Sequence, residues 1–226
     1  MQRESVPLPD WIAQIAQVLV QVTRTEFPEV LLIEPEVHHG HRGWLKETYH
    51  LLKLKDQGVD VTFVQENYVH SKGNTLRGMH FQFPNSQGKM IQCVQGAIFD
   101  VIVDIRRSSP RFGKWMSHSL ADHTHQQLWI PPGFAHGYYA VTRTTDVLYR
   151  MTAAYDPVSE RGFVWNDRDV GICWPNAVGS GTFEPITSEK DARACRSSGI
   201  FRRRTSLADN AASQDVCGIC WFQSDL

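Results

Sequence analysis

The chain has 226 residues, of which 42% are hydrophobic, and its formal net charge is −1. That length suits one all-β domain with a sizeable core. A nearly neutral chain has no overall field to attract nucleic acid or an anionic membrane, so we expect neither as a partner. Any bound anion must be held by a local cluster of Arg and Lys.

The beginning of the chain predicts a helical extension and no export. Residues 1–4 lack the apolar core of a signal peptide, and no apolar run is long enough to span a bilayer. We therefore predict a cytoplasmic protein. Residues 10–19 follow a helical pattern that Asp10 would cap, so residues 1–19 are predicted to precede the main domain as a helix.

From about residue 20 onward, short apolar runs alternate with turn signals. They cover residues 30–35, 61–69, 96–105, 126–133 and 146–152. In the run 96–105, Phe99 and Val101 share one face while Ile98 and Asp100 share the other, which is the period-two pattern of a strand. Many short strands with Gly and Pro turns between them indicate a sandwich, jelly roll or small barrel.

The end of the chain is predicted to leave the domain. Residues 186–194 have the pattern of a short helix. After about residue 196 the composition becomes polar, small and basic, which is typical of a poorly ordered tail. The main domain is therefore predicted to span residues 20–196, followed by a tail over 197–226.

The densest candidate for chemistry is LRGMHFQ, residues 76–82. In a regular strand His80 and Arg77 would face opposite sides, but a bulge at Gly78 would bring both to one cavity. Lys89 is predicted to lie on the following strand. A lone strand histidine is usually structural, whereas a histidine among cationic neighbours favours a functional site.

A second motif is PPGFAHG, residues 131–137, whose P-x-G-x-x-H spacing matches the second signature of the cupin family. In metal-binding cupins the histidine of this signature, here His136, is a ligand. The first signature adds two histidines and a Glu, but this chain has His80-Phe81-Gln82 and no Glu at the expected spacing. Two imidazoles without a carboxylate make a poor transition-metal site, so no metal is expected.

Two further candidates also have ordinary structural interpretations. Tyr149 lies in an alternating strand, where an interior aromatic whose hydroxyl finds a partner is common. Asp191 follows Ser188 at the spacing of a helix capping box. The histidines at 38–41 and 123–125 are predicted to lie in solvated turns.

Taken together, about residues 20–195 resemble the dTDP-4-dehydrorhamnose 3,5-epimerase family. The resemblance rests on the ordered segments FPEVLLIEP, HRGW, FVQEN, LRGMHFQ, QGKM, GAIFDVIVDIRRSSPRFGKW, LWIPPGFAHG, LYRMT, ERGFVWND and SEKDA. It implies a cupin-type jelly roll with a few short peripheral helices. It also implies a homodimer without cofactors that acts in dTDP-rhamnose biosynthesis, inverting C3 and C5 of a nucleotide-diphospho-4-keto-6-deoxyhexose.

The resemblance also implies roles for individual residues. His80 corresponds to the general base, Asp191 to the carboxylate paired with it, and Tyr149 to the general acid. The other matching positions are Lys89 and His136 around the sugar and Arg42, Glu47, Gln65, Asn67, Arg77, Glu160 and Lys190 in substrate binding.

These residue types suit proton transfer beside a ketone. Histidine has an ordinary pKa of about 6.5, and a carboxylate behind it fixes its tautomer. Lys89 is our candidate for stabilising the enolate oxygen, and Tyr149 for returning a proton to the opposite face. Such a reaction requires neither a metal nor a redox cofactor.

Other functions stay open at this point. The protein can be an epimerase that inverts only C3 or C5, or one that uses a GDP- or UDP-linked sugar. It can also be a non-catalytic cupin that binds sugar nucleotides, whereas a metal-dependent oxygenase is disfavoured by Gln82. The family usually carries a Phe-rich stretch after the Arg-Gly of residues 42–43; here Trp44-Leu45-Lys46 follows, which leaves the preference for the base open.

Overall fold

The computed structural model describes residues 20–175 and 183–195. The helix predicted over residues 10–19 and the tail predicted over 197–226 lie outside the described residues. No helix in the described ranges is long and apolar enough to cross a membrane.

Strands dominate the described part of the chain. They are β1 (Gln21–Arg24), β2 (Leu31–Glu34), β3 (Val37–Gly40), β4 (Gly43–Lys46), β5 (Gln65–Lys72), β6 (Leu76–Gln82), β7 (Lys89–Gln95), β8 (Ala97–Asp104), β9 (Trp115–Ala121), β10 (Gln127–Ile130), β11 (Phe134–Ala140), β12 (Thr144–Met151) and β13 (Glu160–Gly162). Two short helices, α1 (Leu51–Asp56) and α2 (Glu189–Arg193), and a 3-10 helix (Asp122–Thr124) complete the described elements.

The strands form two facing antiparallel sheets. The first has the order β1-β2-β10-β7-β12-β5, and the second has the order β13-β6-β11-β8-β9. Strands β3 and β4 pair only with each other, as a separate hairpin. The expected all-β jelly-roll fold with short peripheral helices is confirmed.

Strand β8 explains why the run 96–105 is apolar on both faces. Ile98 and Ile102 point into the main core between the sheets, together with residues of β7, β10 and β11. Val101 and Val103 point the other way and pack against Phe163. Both faces of β8 therefore lie in apolar surroundings, and the exceptions on its inner face are Asp100 and, at the end of the strand, Asp104.

The run 61–69 was predicted as one strand, but β5 begins only at Gln65. Val61 and Phe63 instead pack against the outer surface of the first sheet, where the Phe63 ring meets the Trp129 ring edge-on at 5.8 Å. The apolar character of residues 61–64 therefore reflects packing rather than strand pairing. Helix α1, which was not predicted, contributes Leu54 to the same cluster.

Gly78 allows β6 to change register against β11. His80 pairs with His136 and Arg77 pairs with Tyr138, so β6 has one residue more than β11 between the two pairs. Gly78 has a φ of +129°, and a Cβ atom there would lie 2.5 Å from the Cα of Gly137. The predicted bulge is confirmed, and Arg77 and His80 line the same cavity.

We expect Gly78→Ala to lower the free energy of unfolding by at least about 3 kcal/mol, since it adds backbone strain to a steric clash. Gly58 is the matched control, because its φ is +89° but open space surrounds it. Gly58→Ala should cost only about 1 kcal/mol. Urea unfolding of the two variants checks this, and equal losses would show that the close approach to Gly137 carries no cost.

Candidate active site

A cavity of about 790 Å³ opens between the two sheets. Strands β5, β7 and β12 supply one wall, and β6, β11 and β13 supply the other. Ten of the sequence-predicted site residues line it: Gln65, Asn67, Arg77, His80, Lys89, His136, Tyr149, Glu160, Lys190 and Asp191. The structure therefore gathers residues from seven separate segments of the chain into one space.

His80 and Asp191 form a close pair in the wall of this cavity. The Nε2 atom of His80 lies 2.5 Å from Oδ1 of Asp191, and the amide of Gly78 donates to Oδ2 at 3.5 Å. Burial alone would raise the pKa of Asp191, but the hydrogen bond and the charge of His80 hold it below its ordinary value. An ionised carboxylate thus holds the imidazole at Nε2, and within the described residues Nδ1 makes no hydrogen bond that would keep it from accepting a proton.

The start of α2 explains how Asp191 reaches His80. Ser188 is the N-cap, and its hydroxyl accepts from the amide of Asp191 at 3.1 Å. The capping function predicted from the spacing is therefore present. Asp191 has a second role besides its place in the first turn of the helix, because its Oδ1 bonds to His80.

A second His–Asp pair lies beside the first. His136 is paired with His80 across β11 and β6, and its Nε2 lies 2.8 Å from Oδ2 of Asp100. Both residues of this second pair are buried, and Oδ1 of Asp100 has no hydrogen-bond partner within the described residues. Sequence reasoning missed Asp100, although a carboxylate on the inner face of an apolar strand was a usable signal.

Lys89, the first residue of β7, carries its ammonium group into the cavity wall. Burial lowers the pKa of Lys89 to about 8, and the negative charges of Asp100 and Glu160 oppose that fall. The side chain is therefore a cation at neutral pH. Because the Lys89 ammonium group is buried, little water would compete with it for a negative charge that develops on a bound molecule.

Glu160 joins two other groups at the cavity. It forms an ion pair with Lys190 and accepts a hydrogen bond from the Tyr155 hydroxyl at 2.8 Å. Burial acts to raise the pKa of Glu160, but these two contacts hold it below its ordinary value. Burial and the neighbouring Glu160 raise the pKa of Tyr155 to about 12. Tyr155 lines the cavity but had no signal in the sequence.

Tyr149 stands on the sheet opposite His80. Its hydroxyl accepts from the Asn67 amide at 3.2 Å, and Gln65 donates to the Asn67 oxygen at 3.1 Å. This row of side chains orients the phenol from its own sheet. A molecule in the cavity would therefore have an imidazole on one side and a phenol on the other.

Arg77 is exposed at the rim of the cavity. Its Nε donates to the Ser71 hydroxyl at 3.1 Å, and its Nη2 donates to the carbonyl of His70 at 3.4 Å. These two bonds hold the guanidinium in place and leave Nη1 to donate to an anion.

Two predicted residues lie outside this cavity. Arg42 is exposed in the turn between β3 and β4, and Glu47 forms an ion pair with Lys53 at 2.9 Å. Within one chain, neither is brought to His80. A substrate-binding role for them therefore requires a second chain.

The donor set does not suit a metal. Gln82, which replaces a cupin ligand, uses its amide on the carbonyl of Asn85 at 2.8 Å and accepts from the amide of Asp156 at 2.9 Å. No group of three or more His, Cys, Asp or Glu side chains in the described ranges is arranged around a metal position. The expectation of a metal-free site stays a prediction.

The comparisons with known proteins agree with one another. Residues 24–198 match the family described as dTDP-4-dehydrorhamnose 3,5-epimerase. A protein of that name from Salmonella typhimurium is 44% identical over 175 residues, which cover 76% of this chain and 93% of the relative.

Solved structures with the same fold come from two kinds of epimerase. One, a dTDP-6-deoxy-D-glucose-3,5-epimerase from Legionella pneumophila in complex with dTDP-4-keto-L-rhamnose, has a TM-score of 0.74 and 35% identity, and the match covers 79% of this chain and 93% of that one. The other, a 3'-monoepimerase from Streptomyces bikiniensis in complex with dTDP-quinovose, has a TM-score of 0.70 and 28% identity, with coverages of 76% and 86%.

We expect the pKa of Lys89 to be about 8 when it is measured by NMR titration of labelled lysine side chains, assigned with Lys89→Arg. Asp100→Asn should lower it further, because it removes a negative charge that favours the ammonium form. Lys55→Arg, at an exposed ion pair with Asp60, is the control and should leave the Lys89 titration unchanged. A Lys89 pKa near the ordinary value of about 10.4 would contradict the described environment.

Proposed function

Because this chain belongs to the dTDP-4-dehydrorhamnose 3,5-epimerase family, we propose that its cavity is where carbons 3 and 5 of the sugar are inverted. The enzyme is an isomerase that converts dTDP-4-dehydro-6-deoxy-D-glucose into dTDP-4-dehydro-L-rhamnose. The observation that carries the site assignment is the 2.5 Å contact of His80 with the buried Asp191, in a cavity that also contains Lys89 and Tyr149.

His80 is the general base of this proposal. The proton on the carbon beside the C4 ketone moves to the imidazole, and the electron pair of the broken C–H bond moves onto the C4 oxygen as an enolate. Asp191 stays ionised and stabilises the imidazolium that forms. Positioned acid–base catalysis of this kind contributes about 10²–10⁴-fold to a rate.

Lys89 stabilises the enolate. Its pKa of about 8 keeps it protonated at neutral pH, and the cation is lost as the pH rises through that value. One such group beside the C4 oxygen serves both inversions, because C3 and C5 flank the same ketone. The second His–Asp pair, His136 with Asp100, lies beside Lys89 in the cavity wall and bounds the sugar on that side.

Tyr149 is the general acid. Inversion requires that the proton return to the face opposite the one from which it left. Tyr149 is on β12 of the first sheet, whereas His80 is on β6 of the second. The phenol therefore approaches the sugar ring from the side away from the base.

The nucleotide part of the substrate is bound by cavity residues that take no part in proton transfer. Arg77 at the rim matches the charge of the diphosphate, because its guanidinium can donate to phosphate oxygens. Gln65 and Asn67 offer amide donors and acceptors along β5. Glu160 and Lys190 form an ion pair at the other wall, beside His80.

We further propose a homodimer with composite sites. Strand β5 is at the edge of the first sheet, so its outer backbone groups are available to a second chain. Arg42 and Glu47 lie outside the cavity of their own chain, and a symmetric dimer would bring them to the partner's cavity. A cytoplasmic location, expected from the sequence, stays a prediction.

His80→Ala should lower turnover by about 10²–10⁴-fold, since the base is lost. The dissociation constant for dTDP, measured by calorimetry, should stay unchanged because the nucleotide is bound elsewhere. His118→Ala is the control, because His118 is on β9 and makes one contact at 3.4 Å to Gln126. Wild-type turnover in the His80 variant would refute its assignment as the base.

Tyr149→Phe should separate proton exchange from inversion. The base still forms the enolate, so deuterium from D₂O enters the sugar, but the product ratio falls because the acid on the opposite face is gone. Tyr68→Phe, on the outer surface of β5, is the control. Unchanged turnover and stereochemistry in Tyr149→Phe would mean that another group supplies the proton.

Mixing His80→Ala subunits, which lack the base, with Arg42→Ala subunits, which bind the diphosphate weakly, tests the composite dimer when turnover is measured well below the KM of the Arg42 variant. After subunit exchange, a mixed dimer should regain one working site of its two. No recovery in verified mixed dimers, or a monomer by light scattering, would contradict the composite site.

A further inference from the structure

The β3–β4 hairpin that carries Arg42 contacts the rest of the domain through a cluster of three side chains, Trp44, Lys46 and His125. The Trp44 ring lies 4.7 Å from the His125 ring, centroid to centroid, at an angle of 58°. The Lys46 Nζ lies 3.2 Å from Nδ1 of His125 and 5.5 Å from the centre of the Trp44 ring. All three residues are outside the cavity and have no part in the mechanism above.

This hairpin depends on such a contact because its strands join neither sheet. Residues from Val37 to Lys46 pair only with one another, around a tight turn between Gly40 and Gly43. The hairpin also leaves Leu45 66% exposed. The histidines at 38–41 and 123–125, predicted to lie in solvated turns, are thus partly built into structure: His38 and His39 are in β3, and His125 packs against Trp44.

The contact requires a neutral His125. A lysine ammonium group can only donate, so Nδ1 of His125 must accept from Lys46 and cannot carry a proton. The charged and titratable groups that face His125 are Lys46 and His39 from the hairpin, and Asp122 and His123 from the 3-10 helix. Burial and the cationic neighbours lower the pKa of His125, while Asp122 opposes this effect.

We propose that Trp44, Lys46 and His125 are positioning residues, which hold the hairpin so that Arg42 reaches the diphosphate only while His125 is neutral. This inference rests on the proposed composite site. Protonation of His125 favours the released hairpin, because it removes the acceptor and sets two cations side by side. The contact is therefore complete above about pH 6.5 and weakens as the pH falls below that value.

Three variants test the contact by steady-state kinetics. Lys46→Met removes the donor and His125→Phe removes the acceptor, so each should raise KM for dTDP-4-keto-6-deoxyglucose roughly tenfold with kcat within about twofold. His125→Gln keeps an acceptor that does not titrate. It should have the wild-type KM at about pH 8 and a smaller rise in KM than the wild type at about pH 5.5. Because His80 titrates in both the wild type and His125→Gln, the difference between these two proteins reports on His125 alone.

A second measurement separates this contact from the role of Arg42. Trypsin cleavage after Arg42 at about pH 8 should be several-fold faster in Lys46→Met and His125→Phe than in the wild type, and unchanged in His125→Gln. If Arg42→Ala leaves KM unchanged while cleavage is faster in Lys46→Met, the composite site is wrong and the hairpin contact stands. Unchanged cleavage and unchanged KM in both Lys46→Met and His125→Phe would overturn the inference.

Discussion

The bond between the buried Asp191 and His80 is the interaction on which the rest of the site depends. A carboxylate withdrawn from water needs a partner, because an uncompensated buried charge costs about 3–5 kcal/mol. His80 and the amide of Gly78 bond to the carboxylate of Asp191, and the Ser188 hydroxyl accepts from its backbone amide. The same contacts attach the start of α2 to β6, so the helix near the end of the described chain closes the cavity wall that holds His80.

The sandwich then places His80 and Tyr149 on opposite sides of the cavity. Its main core, which includes Ile98 and Val147, fills part of the space between the sheets. The cavity begins where Tyr138 and Tyr149 border that core. Because the proposed base and the proposed acid stand on strands of facing sheets, the backbone of the sandwich sets their separation rather than a loop. The bulge at Gly78 then turns the side chains of Arg77 and His80 toward the same cavity.

Much of this was predictable from the sequence, and the failures share one physical cause. The alternation in 96–105, the strand at 76–82 and the bulge at Gly78 follow from local chemistry. Asp191 had only the local signal of a helix cap, and its pairing with His80 spans more than a hundred residues. Asp100 was missed for the same reason, since its partner His136 lies 36 residues away on another strand. Tyr155 bonds to Glu160 only five residues on, but nothing local in the sequence shows that this pair borders a cavity. Residues 61–64 were assigned to a strand because packing and pairing leave the same apolar pattern.

The most direct test of the central claim, that both carbons beside the C4 ketone lose and regain a proton in this site, is to run the wild-type reaction in D₂O. NMR and mass spectrometry would locate deuterium in the sugar nucleotide after one turnover. The account predicts one deuterium at C3 and one at C5, with both centres inverted. Deuterium at only one of them, as expected of a monoepimerase, or none at either, would contradict it.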